Sequence, residues 1–292
     1  MGLLPPRFPI LVTDVDGTLV DVRQEIVPAN ALAIARYRAR GGRVVLATGR
    51  IEAAVARYRD ALRLTGPAVL YNGARVVDIE TGEVLVEWPL MYPASDVVHA
   101  GAAVDPRIVA IAFGHGRVVR ATGPSTMGDA VLGTYEAKDG ITVDRAPDPA
   151  RLTRDSVLKV LFLVPAECAD EVTATLAEAL PEAAAIRSEA TYVEVLAKGV
   201  DKGRGLAWLL HHLGADGDQV VAIGDNLNDR ELLAMAGVGA AVGDGHPELR
   251  QAADVVVGPR DAGAVADAVA IALGERSWSP FAPPAAMTVR HA

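Results

Sequence analysis

Asp14 and Asp16 stand one residue apart in Asp14-Val15-Asp16-Gly17-Thr18-Leu19, directly after the apolar run from Ile10 to Thr13. Two carboxylates placed so at a strand end can share a displacement reaction, one attacking while its neighbour moves protons. Gly17 then allows a tight turn that leaves both acids uncovered. A second acidic cluster, Gly224-Asp225-Asn226-Leu227-Asn228-Asp229, follows the apolar run Gln219 to Ile223. In an open parallel sheet, ligands bind beyond the carboxyl ends of the strands, near the point where strand order reverses. Two such ends on adjacent strands would crowd Asp14, Asp16, Asp225 and Asp229 into one crevice. Carboxylates packed this way shift toward their protonated forms unless a cation neutralises them. All-oxygen ligation favours a hard ion, and Mg2+ is the natural choice. Asn228 and Asp229 also precede the helical stretch Arg230 to Ala236, and capping that helix is compatible with supporting a metal.

Two further segments add the complementary charge. Val44 to Ala47 is a strand-like run ending in Thr48-Gly49-Arg50, which offers a hydroxyl and a backbone N–H to an anion. Lys202 opens a helix in Lys198-Gly199-Val200-Asp201-Lys202-Gly203 and can lend a point charge to a phosphate. Thr-Gly-Arg alone is usually a turn and a lone lysine usually lies on the surface, so the weight rests on the four segments together.

These segments, in this order, resemble the haloacid dehalogenase superfamily, in particular its Cof-like phosphatases with a large α/β cap. Further similarity lies in Tyr71-Asn72-Gly73-Ala74, in Glu194-Val195 leading to Gly199-Val200-Asp201-Lys202-Gly203, and in Ala236 to Gly243. The resemblance implies a Mg2+-dependent phosphatase that acts on a small phosphorylated metabolite, best a sugar phosphate, through an aspartyl-phosphate. Asp14 would be the nucleophile and Asp16 the acid and base. Thr48, the Gly49 N–H and Lys202 would hold the phosphoryl oxygens. Asp14, the Asp16 carbonyl and Asp225 would ligate the metal, with Asn228 and Asp229 in support. An acid at position 16 favours phosphoryl transfer over dehalogenation. Two alternatives stay open: a phosphomutase of the same superfamily, similar to phosphomannomutases, and a non-catalytic ligand-binding protein on the same scaffold.

The composition agrees with an enzyme of this kind. The 292 residues are 51% hydrophobic and 22% charged, enough for a substantial core and two domains. A net charge of −9 argues against nucleic-acid or anionic-membrane partners and makes the attraction of a phosphate a local matter. The single cysteine, Cys168, excludes an internal disulfide and reads as an inert thiol. No apolar run reaches a membrane span and the N-terminus has no signal-like core, so a cytoplasmic protein, monomer or homodimer, is expected.

Short apolar runs alternating with helical patterns predict an α/β fold, a Rossmann-like doubly wound parallel sheet core with an inserted α+β cap domain. Strands are expected at Ile10 to Thr13, Val44 to Ala47 and Ala68 to Tyr71, with helices at Pro28 to Arg40 and Ile51 to Leu64. After Asp78 the rhythm changes. Trp88 to Tyr92, Arg107 to Phe113, Arg117 to Ala121, Val157 to Val164, Ala184 to Arg187 and Tyr192 to Leu196 read as strands of a different sheet. Helices at Ala94 to Val104 and Ala166 to Leu180 lie among them, with a Gly- and Asp-rich section from Gly123 to Asp148. The core pattern resumes with helices at Lys202 to Leu213, Arg230 to Ala236 and Ala262 to Leu273, and strands at Gln219 to Ile223, Val238 to Ala241 and Asp254 to Val257. The expected division is core 1–79, cap 80–196, core 197–276 and an extended tail 277–292. Arg50, Asn72, Glu194 and His115, the last at a hairpin tip, are candidates to line the space between core and cap with Gly49. Where relatives of the family read Gly-Asn-Ala, this chain reads Gly243-Asp244-Gly245, a carboxylate that calls for a compensating cation if the loop borders a phosphate.

Overall fold

The structure is a computed structural model that describes residues 4–114, 117–121, 126–145 and 157–277. Ile10–Thr13 (β1) and Val220–Gly224 (β11) are short apolar strands buried on both faces, as strands covered by helices above and below must be. They pair in parallel with Thr13 opposite Ile223. Arg43–Leu46 (β2) pairs with the other edge of β1, Leu46 opposite Thr13. Val238–Ala241 (β12) and Val255–Val256 (β13) extend the sheet beyond β11, giving the order β13-β12-β11-β1-β2, all parallel. The chain therefore reverses its direction of strand addition between β1 and β11.

Pro28–Ala39 (α1) and Ala264–Ala272 (α9) pack against each other over one face of this sheet, and Glu52–Leu62 (α2) packs beside α1. Lys202–Leu213 (α6) and Arg230–Met235 (α7) pair over the other face, and Pro247–Ala252 (α8) follows β12. Nine-residue α9 is shorter than the ~12–15 residues an isolated helix needs. Its buried face of Val265, Ala268, Val269 and Ile271 is what holds it. Among the described residues no helix is long and apolar enough to cross a membrane.

The expected third core strand forms as Pro67–Leu70 (β3), but its main partner is antiparallel Arg75–Asp78 (β4), which pairs in turn with Val84–Glu87 (β5). A single parallel bridge, Ala47 to Val69, joins this small sheet to the end of β2. The strand expected at Trp88 to Tyr92 is absent; the strand lies at β5, four residues earlier, because Val84, Leu85 and Val86 complete a hairpin with β4. Residues 88–92 run as irregular chain, tied by the Trp88 N–H to the Ala74 carbonyl and the Leu90 N–H to the Val157 carbonyl.

Ala94–Ala102 (α3), Val109–Gly114 (β6), Arg117–Arg120 (β7), Thr126–Asp139 (α4), Val157–Leu163 (β8), Ala169–Ala179 (α5), Ala183–Glu189 (β9) and Tyr192–Ala197 (β10) make the second layer. Its sheet, β7-β6-β8-β10-β9, is antiparallel throughout. Alternation splits its faces. Ala110, Ala112, Val160 and Phe162 pack with α3 and α5, while Ile111, Phe113, Leu161 and Leu163 pack on the other side with Leu132 and Tyr135 of α4. The Gly- and Asp-rich section between Gly123 and Asp148, for which the sequence pattern predicts no helix, thus holds a 14-residue helix. Gly128 and Gly133 disguise it, whereas Gly140 at φ 67° stops it in the left-handed conformation favoured at helix ends.

Candidate active site

Parallel register does the first part of the assembly. With Thr13 opposite Ile223, the Asp14 N–H donates to the Ile223 carbonyl at 3.0 Å, so the first residue past β1 lies beside Gly224 and its neighbour Asp225. Leu46 opposite Thr13 brings Thr48 alongside from the other edge. The site lies where strand order reverses, at the carboxyl ends. Gly17 permits the approach of the two halves: it sits at φ 76°, and a Cβ there would lie 2.3 Å from Asp225 Oδ2. Thr18 Oγ donates to Asp225 Oδ1 at 2.9 Å and fixes that carboxylate.

Lys202, at the first turn of α6, is buried beneath this point and donates to Asp14 Oδ1 at 2.7 Å and Asp229 Oδ1 at 2.6 Å. Burial alone would push its ammonium down, but Asp14 and Asp229 more than offset that and hold it charged. Asp229 turns its other oxygen to the Asp225 and Asn226 N–H groups at 3.0 and 3.2 Å, so it positions both the lysine and the acidic loop. Carboxylate oxygens of Asp14, Asp225 and Asp229 lie within 4.8 Å of one another. Burial, and then the neighbouring carboxylates against the opposing pull of Lys202, hold Asp14 well above the usual aspartate range. Burial and Asp229 push Asp225 up to about 7. Three carboxylates thus share one ammonium. The deficit of positive charge and the all-oxygen donor set fit a hard divalent cation.

Asp16 faces the other way. Arg50 grips it with two parallel bonds, Nε to Oδ2 and Nη2 to Oδ1, both 2.7 Å. Burial works against the ionised form, but these bonds and the guanidinium charge prevail and hold the Asp16 carboxyl below its usual range. It is therefore a proton acceptor here, and donating a proton requires it to part from Arg50. Thr48 is buried and its hydroxyl accepts the Arg50 N–H at 3.2 Å, which shapes the turn carrying Gly49.

The second layer closes over these loops through buried polar contacts. Lys159 on β8 donates to the Gly49 carbonyl at 2.8 Å and pairs with Glu194 on β10 at 2.9 Å. Glu194 also accepts from Ser188 Oγ at 2.6 Å and Asn72 Nδ2 at 3.0 Å, and Asn72 Oδ1 accepts from Asn228 Nδ2 at 3.1 Å. Asn72 reaches both because it holds the left-handed conformation at φ 53°. Asn226 Nδ2 adds a bond to the Ser188 carbonyl at 2.6 Å. Glu194, expected to meet substrate, is thus the joint of a chain running from β8 to the acidic loop.

Between the layers lies a cavity of about 340 Å³. Asp14, Asp16, Thr48, Gly49, Arg50, Asn72, Glu194, Asp225 and Asn228 all border it, whereas Lys202 and Asp229 lie beneath its floor. His115 lies outside the described residues. The lining residues not foreseen come chiefly from the upper layer: Lys159, Ser188, Tyr192 with Lys138 above its ring, and Tyr135 and Asp139 from α4. Lys159 had left a signal, since a lysine within Val157-Leu158-Lys159-Val160-Leu161 must be paired if that strand is buried. The Asp244 question resolves locally. Asp244 is not among the residues that border the cavity: its Oδ1 accepts the backbone N–H of Arg260 at 2.8 Å, while the Arg260 guanidinium pairs with Asp261 at 2.9 Å.

A family model for haloacid dehalogenase-like hydrolases matches residues 11–269. The chain is 30% identical over 288 residues to a chloroplastic protein of Arabidopsis thaliana, Endoribonuclease YBEY, covering 92% of this chain but 47% of that one. It therefore spans about half the length of that relative. It is 28% identical over 237 residues to the HMP-PP phosphatase of Cronobacter sakazakii, covering 81% of this chain and 84% of that one. A haloacid dehalogenase-like hydrolase from Bacteroides thetaiotaomicron has the same fold, with a TM-score of 0.78, 25% identity, and coverage of 90% and 98% of the two chains.

Proposed function

The chain belongs to the haloacid dehalogenase-like hydrolase family, and on that premise we propose that it is a Mg2+-dependent phosphatase of a small phosphorylated metabolite, best a sugar phosphate. The observation that carries the reading is the buried contact of Asp14 with Lys202 beside Asp225 and Asp229, at the reversal point of the sheet. The phosphatase named among its relatives supports it. The reading takes 80–196 as a cap over a core of 1–79 and 197–276, with 277–292 as a tail.

An Asp14 carboxylate oxygen attacks phosphorus, and the ester bond to the leaving oxygen breaks as that oxygen receives a proton from Asp16. Water then attacks the aspartyl-phosphate, gives its proton to Asp16 and regenerates Asp14. Thr48 and the Gly49 N–H hold phosphoryl oxygens where charge accumulates, and Lys202 lends its positive charge from beneath the cavity floor. Lys202 also keeps Asp14 oriented. Asp14, the Asp16 carbonyl and Asp225 would hold Mg2+, with Asn228 and Asp229 in support; when bound, it neutralises the acidic cluster and orients nucleophile and phosphate.

Arg50, Lys138 and Lys159 each face a carboxylate partner already, Asp16, Glu189 and Glu194. That pairing leaves these three cations poorly suited to a second phosphate and favours a hydrolase over a phosphomutase. Phosphate release from a panel of phosphorylated metabolites, with Mg2+ or chelator, tests the reading against Asp14→Asn. Mg2+-dependent turnover lost in the variant supports it. Turnover that survives the substitution sinks the aspartyl-phosphate, and binding of phosphorylated compounds without any turnover favours a non-catalytic role.

A further inference from the structure

Arg50 spends its donors unevenly. Nε and Nη2 bind Asp16, and Nη2 also meets Gln24 Oε1. Nη1 is buried and has no hydrogen-bond partner among the described residues. It stands 3.4 Å from Asp139 Oδ1, close enough for attraction but not aligned for a hydrogen bond. Arg50 is 4% and Asp139 8% exposed, and both border the cavity. A buried guanidinium N–H without an acceptor costs free energy, so its place in a cavity wall calls for an explanation.

The chemistry of the pair restricts what can complete it. An atom seated between Nη1 and Asp139 must accept from the arginine and donate to the carboxylate. A phosphate or carboxylate accepts but is repelled by Asp139; an ammonium donates but is repelled by Arg50. A carbonyl satisfies only the arginine. A hydroxyl satisfies both with one atom. Tyr135, one turn earlier on α4, borders the same cavity beside Asp139.

We propose that Arg50 and Asp139 form a hydroxyl clamp that selects phosphate esters whose leaving group carries a hydroxyl close to the ester oxygen. The inference rests on the phosphatase reading, in which Asp16 faces that ester oxygen. In the resting site the same guanidinium holds Asp16 by one edge and offers Nη1 beside it, so when Asp16 parts from Arg50 to move its proton the recognised hydroxyl is still near the bond that breaks. Asp139 comes from α4 and Arg50 from the loop after β2, so the selection is made only where the two layers meet.

The test pairs esters that differ only in hydroxyls, glycerol 3-phosphate against propyl phosphate and sugar phosphates against their deoxy analogues, with phenyl phosphate as a reference and saturating Mg2+. The parent should favour the hydroxylated member of at least one pair by more than about tenfold in kcat/KM. Asp139→Asn should lower that ratio about tenfold or more. A purely structural role would lower both members alike and leave the ratio where it was. A parent that turns over phenyl phosphate yet prefers no hydroxylated ester overturns the clamp and leaves the phosphatase reading standing. A ratio unmoved by Asp139→Asn overturns it too. A parent that releases phosphate from nothing overturns the phosphatase reading, and the clamp with it.

Discussion

Replacing Asp225 with asparagine should make the metal-free protein more stable while abolishing its Mg2+ response. Asp225 is pushed up to about 7 by burial and by Asp229. In the unfolded chain an aspartate titrates near ~3.9, so the folded state holds this proton across the interval between. A folded value raised in this way gives stability that is fully present below about pH 4 and lost as pH rises through about 7. At ~1.36 kcal/mol for each pH unit, the interval is worth about 4 kcal/mol at pH 8. Asparagine keeps an oxygen for the Thr18 hydroxyl, now 2.9 Å from Oδ1, and carries no charge. Urea unfolding in chelator should therefore find the variant more stable than the parent by about 2–4 kcal/mol at pH 8 and by much less at pH 5. Adding Mg2+ should raise the parent by mass action and leave the variant nearly unmoved. A variant no more stable than the parent at pH 8, or a gain of equal size at pH 5, would refute the account of like charges held together for a cation.

Two other substitutions probe the assembly of the site. Gly17→Ala places a Cβ at φ 76° against Asp225 Oδ2, so turnover should drop about a hundredfold with the fold intact by circular dichroism; turnover within about twofold of the parent would mean that Asp225 moves freely. Lys159→Met strands Glu194 among buried neighbours and should cost about 3–5 kcal/mol in urea unfolding, much of it recovered by adding Glu194→Gln. A double variant as unstable as the single one would show that the two do not act as a pair.

The part of the site legible in the sequence is the part carried on contiguous segments. Asp14, Asp16, Thr48, Gly49, Arg50, Asp225, Asn228 and Asp229 each fall just past an apolar run, where a strand end can be read from periodicity. Lys202 opens a readable helix. The upper wall was hardly legible. Lys159 and Glu194 meet because the register of β8 with β10 sets Glu194 opposite Leu161, two residues from Lys159 and on the same face. Tyr135, Lys138 and Asp139 sit on α4, whose two glycines break the helical pattern. Trp88 to Tyr92 misled because an apolar aromatic segment looks like a strand, while pairing with β4 decided that the strand is Val84–Glu87.

Local sequence determined the chemistry available: which strands end in carboxylates, where a glycine turn frees them and where a lysine starts a helix. Those properties depend on neighbours one to four residues away, the range over which backbone preference and side-chain periodicity act. Tertiary structure decided what each group is joined to. Lys202 lies between Asp14 and Asp229, 188 and 27 residues apart from it in sequence. Asp16 is held by Arg50, and Asp139 arrives from the other layer to share that guanidinium. Charge state and specificity follow from distance and burial, which the packing of sheets sets and no local pattern encodes.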